Sequence, residues 1–423
     1  MTATASTWTP TKVLVADLEE GLGDVSLVAP DGLVFGEAWV VIRRGGTATG
    51  MVTIDLQEGL AVADIEARVR AELARRAAGV QLGEPPADVQ RSSRPDCQLP
   101  AFTVVVCSTF ERFAELCACV VSVFGCDYPR VEVLVVDNRP AADLEQHQAL
   151  RSLAPDVRIV HEGGRGLSVA RNRGLSMCTT ELIAYTDDDI HVDRHWLRSL
   201  GSTFLDVPQA CCVTGLVLPN DLTTEAQHLF EAFYGGFNRT FELTTYGPGK
   251  PKPDQLYPYA AGRFGTGANM AFRTAALRDL GGFDDALGAG TLAKGGEDLA
   301  IFASVVLAGG TLVVQPSAIT SHRHRTTRKE LLSRVQSYGS GLTAMLTALI
   351  VQEPRHAARI AWRVPPALRL LVRSRSGTVA RRDVGIRIPR QLYLRQALGM
   401  ALGPMSYFRS RRDIRRRQGG DAR

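Results

Sequence analysis

Between residues 102 and 187 the chain repeats one grammar. "FTVVVCS" (102–108), "VEVLVVD" (131–137), "VRIVHE" (157–162) and "ELIAYTD" (181–187) are short, nearly unbroken apolar runs, and "FAELCACVVSVFGC" (113–126) has helical spacing. Unbroken apolar runs suit strands buried on both faces, and strand–helix–strand order makes such strands parallel, so this stretch predicts an α/β unit. Upstream, "KVLVADL", "VSLVAPDGLVFG" and "AWVVIRR" (12–44) are broken by "PDG" and followed by Gly45-Gly46, which predicts a few antiparallel strands. A helix is expected over 61–77, where Val62, Ile65, Val69 and Leu73 share one stripe. The Pro-, Ser- and charge-rich segment 83–100 reads as a linker. From "RKELLSRVQSYG" onward the pattern is helical. Three units are therefore expected: a small N-terminal α+β module over 1–95, an α/β domain over 96–330, and a helical, basic C-terminal extension over 331–423.

Composition changes this picture little. A chain of 423 residues with 45% hydrophobic and 22% charged residues is ordinary globular material. The net charge of +5 is uneven, with much of the excess in "RSRRDIRRR" (409–417). That implies a local basic patch, not a nucleic-acid-binding surface. Basic amphipathic segments of this kind lie on anionic membranes or cover a core with a charged outer face. The eight cysteines show no CxxC pair and read as reduced thiols. No basic-then-apolar leader opens the chain and no run approaches about 18 apolar residues. A cytoplasmic location is expected, with peripheral contact at the inner membrane face as the alternative raised by the basic C-terminal segment.

Candidate chemistry gathers where parallel strands end. Thr109, Glu111, Asp137 and the triplet Asp187, Asp188 and Asp189 all fall at the carboxyl ends of predicted strands, where open parallel sheets bind ligands. Three adjacent carboxylates repel one another and lose hydration, so they need a positive partner, and a divalent cation such as Mg2+ or Mn2+ is the economical candidate. The competing reading is a solvated turn with an aspartate cap. If the backbone stays extended, Asp187 and Asp189 share an orientation and Asp188 points elsewhere.

Six ordered segments, "VVVCSTFER", "VEVLVVDN", "GLSVARNRGL", "AYTDDD", "GTGANMAFRTAALRDLGGFDDALGAGTLAKGGEDLAIFASVVLAGG" and "PSAITSHRHR", span about 100 to 325. Together they resemble the GT-A glycosyltransferases of family 2, inverting enzymes that use nucleotide-sugar donors. The resemblance implies a GT-A sandwich, Rossmann-like, of the nucleotide-diphospho-sugar transferase type. It places Thr109, Glu111, Asp137, Arg171, Asp187 and Asp188 at the donor, Asp187 and Asp189 on the metal, with His324 as a further ligand, and Asp298 as the base that deprotonates the acceptor hydroxyl. Glu297, Asn269 and Met270 would line the acceptor side. Acidic residues at a helix N-terminus also have a purely structural use, as do Asp284 and Asp285 in a turn.

The implied reaction is metal-dependent transfer of a sugar from a nucleoside diphosphate sugar, with a UDP-sugar as first candidate, to a glycan, lipid-linked or small-molecule acceptor. There is no QxxRW motif and no membrane bundle, which favours transfer of single sugars over polymer extrusion. Two alternatives are a non-catalytic binding protein on the same fold and a sugar-nucleotide pyrophosphorylase, although "CSTFER" lacks the latter's Gly-rich phosphate loop.

Overall fold

A computed structural model of the chain describes residues 8–17, 21–22, 26–29, 31–56, 64–65, 67–68, 71, 94–234, 241–366 and 386–420. Most of the helix expected over 61–77, and residues 83–93 of the expected linker, lie outside them.

The four apolar runs form β4 (Phe102–Ser108), β5 (Val131–Asp137), β6 (Arg158–His161) and β7 (Leu182–Asp187). They pair in parallel, in the order β7-β4-β5-β6. Helix α1 (Phe113–Phe124), α2 (Leu144–Leu153) and α3 (Leu167–Met177) connect them. Val104 and Val106 pack to one side of the sheet and Val105 to the other, each in a buried cluster, which is why the β4 run is apolar and does not alternate, whereas β6 at the sheet edge carries exposed Arg158 and His161.

Beyond β7 the sheet becomes mixed. β8 (Ile190–Val192) and α4 (Trp196–Asp206) lead to β9 (Ala210–Pro219), α5 (Glu225–Tyr234) and β10 (Thr244–Tyr246). Next come β11 (Met270–Arg273), α6 (Thr274–Asp279), α7 (Glu297–Leu307) and β12 (Thr311–His322). β11 runs antiparallel between β7 and β9, and β12 lies parallel to β9. The end of β12 also pairs with β8, setting His322 opposite Ile190. The result is the α/β sandwich that the resemblance implied.

The N-terminal strands depart from expectation. β2 (Glu37–Arg44) and β3 (Thr47–Asp55) are antiparallel, joined by Gly45 and Gly46 at φ 54° and 78°, the left-handed values a tight hairpin turn requires. β1 (Thr11–Asp17), however, is parallel to β2. Apolar patterning marks a strand and its faces but not its partner's direction, which only the short hairpin fixes here. Among the described residues of "VSLVAPDGLVFG", Val28 makes a single bridge to Val34.

The C-terminal region is helical: α8 (Arg328–Gln352), α9 (Arg355–Ala361) and α10 (Arg390–Gly420). Thr327 and Glu330 cap α8 reciprocally. α8 and α10 approach closely where Gly339, Gly399 and Gly403 remove side chains from the contact, and a Cβ at Gly399 would meet the Gln336 carbonyl and the Ser340 nitrogen. Gly399→Ala should therefore lower stability by about 1–3 kcal/mol through overpacking, read as a lower unfolding midpoint by circular dichroism.

Candidate functional site

Register builds the site. β4 pairs Ser108 with Asp137 of β5 and Cys107 with Asp187 of β7, so three strand ends come level at one edge of the sheet. Into this edge α3 projects Arg171, only 2% exposed. Its Nη2 donates to Asp187 Oδ1 at 3.1 Å and to the Gly267 carbonyl at 3.2 Å, and its Nη1 donates to Glu297 Oε1 at 2.9 Å. One guanidinium thus joins the two acidic centres, which lie 110 positions apart in sequence. Burial works against its charge, but Glu297 and Asp187 hold its proton above the ordinary arginine range. Expected to touch the nucleotide, Arg171 instead spends its donors inside the protein.

The aspartates fan apart because the strand ends at Asp187 and the chain turns. Asp187 faces Arg171 and keeps 35% of its side chain exposed. Asp188 is buried, accepts from Ser108 Oγ at 2.6 Å and from Arg112 Nη2 at 2.6 Å, and its carboxyl is pushed up to about 6, chiefly by burial. Asp189 pairs with Arg112 Nη1 and lies 3.5 Å from His322 Nε2. Burial would raise its carboxyl, but His322 and Arg112 hold it well below the usual range. The shared orientation expected for Asp187 and Asp189 is not what the turn produces.

His322, not His324, is the histidine beside the aspartates. His324 is buried behind it, with Nδ1 3.2 Å from His322 Nδ1 and Nε2 2.5 Å from Glu231 Oε1 on α5. Two residues apart in an extended strand they would point the same way, but the strand stops at His322.

The second acidic centre opens α7. Glu297 is buried, held by Arg171, and its Oε2 has no hydrogen-bond partner. Burial and then Asp298 push its carboxyl up to about 7, against the pull of Arg171. Asp298 is half-buried: Oδ2 accepts from the Gly267 N–H at 2.8 Å and Oδ1 from the Leu299 N–H at 2.8 Å. Of the pair, the outward carboxylate is Asp298. The position expected for Glu297 on the acceptor side is taken up by its bond to Arg171.

Other expected residues sit as follows. Thr109 and Glu111 are exposed just past β4. Asp137 is buried and occupied by Arg139, through Nε and Nη2 at 2.8 Å each, and by His147 at 2.7 Å, which hold its carboxyl below the usual range although burial pushes it up. Asn269 and Met270 were expected at the acceptor and are wholly buried. Asn269, immediately before β11, bonds Trp196 Nε1 and the Leu216 and Ala318 carbonyls, and Met270 is the first residue of that strand. Asp284 accepts from Tyr407 on α10 and Asp285 from Asn172 on α3, so both fasten the 283–287 loop.

The sequence reading missed Arg112, whose signal is a cation four residues past a strand end that faces an acidic triplet. It also missed Arg325, Arg334 and Tyr338, which line a small cavity with His322. Arg334 and Tyr338 are one helical turn apart on α8, with the guanidinium 5.7 Å from the ring centroid.

Among the described residues no group of three or more His, Cys, Asp or Glu is arranged to hold a metal ion. Asp187, Asp189 and His322 carry donor types a divalent ion takes, but Asp187 faces Arg171 while Asp189 faces Arg112 and His322, so the three do not converge on one point.

Removing Arg171 would leave the buried Glu297 and the part-exposed Asp187 without their shared counter-charge. Arg171→Met should cost about 3–5 kcal/mol of stability in denaturant unfolding, and adding Glu297→Gln should restore part of the loss.

Residues 103–281 match the family model described as Glycosyl transferase family 2. Over 210 residues the chain is 28% identical to the pre-mycofactocin glycosyltransferase of Mycobacterium tuberculosis, covering 49% of this chain and 41% of that protein. Over 188 residues it is 26% identical to the glucosyl-dolichyl phosphate glucuronosyltransferase of Haloferax volcanii, covering 43% and 55% respectively. The matches therefore span about half or less of these relatives' own length. Among solved structures, the mannosyltransferase PcManGT from Pyrobaculum calidifontis, in complex with GDP-Man and Mn2+, aligns with a TM-score of 0.47 at 17% identity over 81% of this chain and 97% of that one. GalNAc-T7 with UDP, GalNAc and Mn2+ aligns at 0.42 and 17% identity, over 57% and 50%. The segment that carries the strand-end aspartates and Arg171, residues 103–281, is thus the part of the chain that is similar to family 2 glycosyl transferases.

Proposed function

We propose that this protein transfers a sugar from a nucleoside diphosphate sugar to an acceptor hydroxyl with inversion, within a catalytic unit over 96–330 flanked by 1–95 and 331–423. The observation that carries this reading is the Arg171 bridge from Asp187 to Glu297, because it sets Asp298 and the strand-end aspartates on one cleft. Thr109 and Glu111, exposed at the end of β4, are positioned for the nucleoside. A divalent cation, Mg2+ or Mn2+, would supply positive charge against the diphosphate, with the part-exposed Asp187 as the carboxylate open to it.

Asp298 accepts the acceptor hydroxyl's proton as that oxygen bonds to the anomeric carbon. The bond from that carbon to the diphosphate oxygen breaks on the opposite face, and its electron pair leaves with the nucleoside diphosphate. Arg325 and Arg334 stand beside His322 to receive this charge. The donor's base and sugar are open, with a UDP-sugar the first to assay. The relatives' names cite pre-mycofactocin and a glucosyl-dolichyl phosphate, and both belong in the acceptor screen.

Transfer and donor hydrolysis measured across UDP-, GDP- and dTDP-sugars with Mn2+ test the reading. Asp298→Asn should lower kcat about 10²- to 10⁴-fold while donor affinity holds. Unchanged turnover would remove Asp298 as base, and donor binding without turnover in the unaltered protein would favour a binding protein. Arg334→Ala should weaken nucleoside diphosphate binding by calorimetry about 10- to 100-fold, the usual value of a hydrogen bond to a charged group, with far less effect on the free nucleoside.

A further inference from the structure

Helix α10 has two unlike sides. One is packed on α8 and buries Leu392, Gly399, Gly403 and Tyr407. The other carries Leu394, Leu398, Leu402, Met405 and Phe408, which are 66%, 45%, 37%, 48% and 54% exposed. Their spacing of four, four, three and three residues draws one apolar stripe about four turns long.

Charge frames this stripe. From 387 to 417 there are nine arginines and one acidic residue, Asp413, which pairs with Arg417 at 2.6 Å. The whole chain carries only +5, so the remainder is slightly acidic and the positive charge is concentrated here. Arg390 and Arg395 stand at one end of the stripe, and Arg409, Arg412, Arg415 and Arg416 are exposed at the other. No acidic residue lies between 390 and 412.

These features select the occupant. A second copy of α10 would set arginines against arginines whether the helices paired parallel or antiparallel, since both ends of the stripe are basic. An anionic lipid surface suits both parts at once: the apolar side chains enter the acyl boundary while the guanidiniums meet headgroup phosphates. Among the described residues no helix is long and apolar enough to cross a membrane, so the geometry is that of a helix lying on the surface.

We propose that the exposed face of α10 is a docking surface for an anionic lipid bilayer. Gly341 of α8, α10's partner, is packed against Gly295 and Gly296 at the start of α7, so adsorption holds the cleft close to the bilayer. The inference does not depend on glycosyl transfer, and its test reads binding alone.

The full chain is sedimented with vesicles of phosphatidylcholine, with and without phosphatidylglycerol. Binding is expected only to the anionic vesicles and should fall steeply as salt shortens the screening length. Leu398→Asp combined with Phe408→Asp should lower the bound fraction about tenfold, and Arg412→Glu with Arg416→Glu, which leaves the apolar stripe intact, should lower it as well. Far-ultraviolet circular dichroism checks that each variant is folded. Absence of binding, equal binding to neutral and anionic vesicles, or full retention by both folded variants overturns the proposal. So does a lipid-free dimer by light scattering that the Leu398/Phe408 variant dissolves, since that makes a second copy the occupant.

Discussion

A single buried guanidinium sets the geometry of the cleft. Arg171 reaches Asp187 on β7, Glu297 on α7 and the carbonyl of Gly267, three segments that neither local sequence nor sheet pairing alone brings together. A buried charge with partners on two sides is tolerated only while both are present, so the contact acts as a check on tertiary assembly more than as a source of stability. Glycine at 267 leaves room for this: a Cβ there would lie 2.7 Å from Arg171 Nη2 and would push the guanidinium off its partners. The residue that anchors the arginine also donates its backbone N–H to Asp298, so the clamp and the outward carboxylate are fixed by one short stretch of backbone.

That arrangement separates the tasks of two adjacent acids. Successive helical residues point about 100° apart, so Glu297 and Asp298 at the start of α7 cannot face the same way. Glu297 turns inward with one oxygen unpaired, and burial and then the neighbouring Asp298 push its carboxyl upward despite its arginine. Asp298 turns outward and is steadied by two backbone N–H groups. The helix N-terminus favours negative charge at both positions, which lets the chain place two acids side by side. Similar sorting occurs at 187–189, where the turn sends each aspartate to a different partner: Arg171, Ser108 with Arg112, and Arg112 with His322.

Much of this was legible in the sequence because it depends on local chemistry. The apolar runs gave β4, β5, β6 and β7, and strand-end position correctly marked the aspartates and Asp137 as neighbours of one edge. What failed was any inference that required knowing a side chain's partner. Arg171 looks like an exposed cation on a weakly amphipathic helix, and only β7 and α7 together reveal it as internal. Asn269 and Met270 sit in a glycine-rich stretch that suggests a flexible lining, yet β11 inserts between β7 and β9 and buries them. That His322 and not His324 lies beside Asp189 turns on where β12 stops, a boundary periodicity does not fix. Arg112 and Arg334 carry no pattern of their own; each matters through what lies opposite it.

The elements outside the central sheet are bound into this scheme more tightly than their sequence suggests. Arg43 of β2, buried, pairs with Asp193 at 2.5 Å, one residue beyond the short strand that places His322 near Asp189. Ala48 donates to Ser317 at 3.0 Å, and Val41 packs with Leu216, Leu218 and Ile319. Cutting the chain near residue 95 would bare those apolar residues and leave Asp193 without its guanidinium, so a break in composition is not a break in packing. The same holds at the other end, where Tyr407 of α10 bonds Asp284 in the loop that α3 grips through Asn172. Both flanks thereby brace the segments that carry Arg171 and the aspartates, and a site that must hold like charges a few ångströms apart needs such bracing from every side.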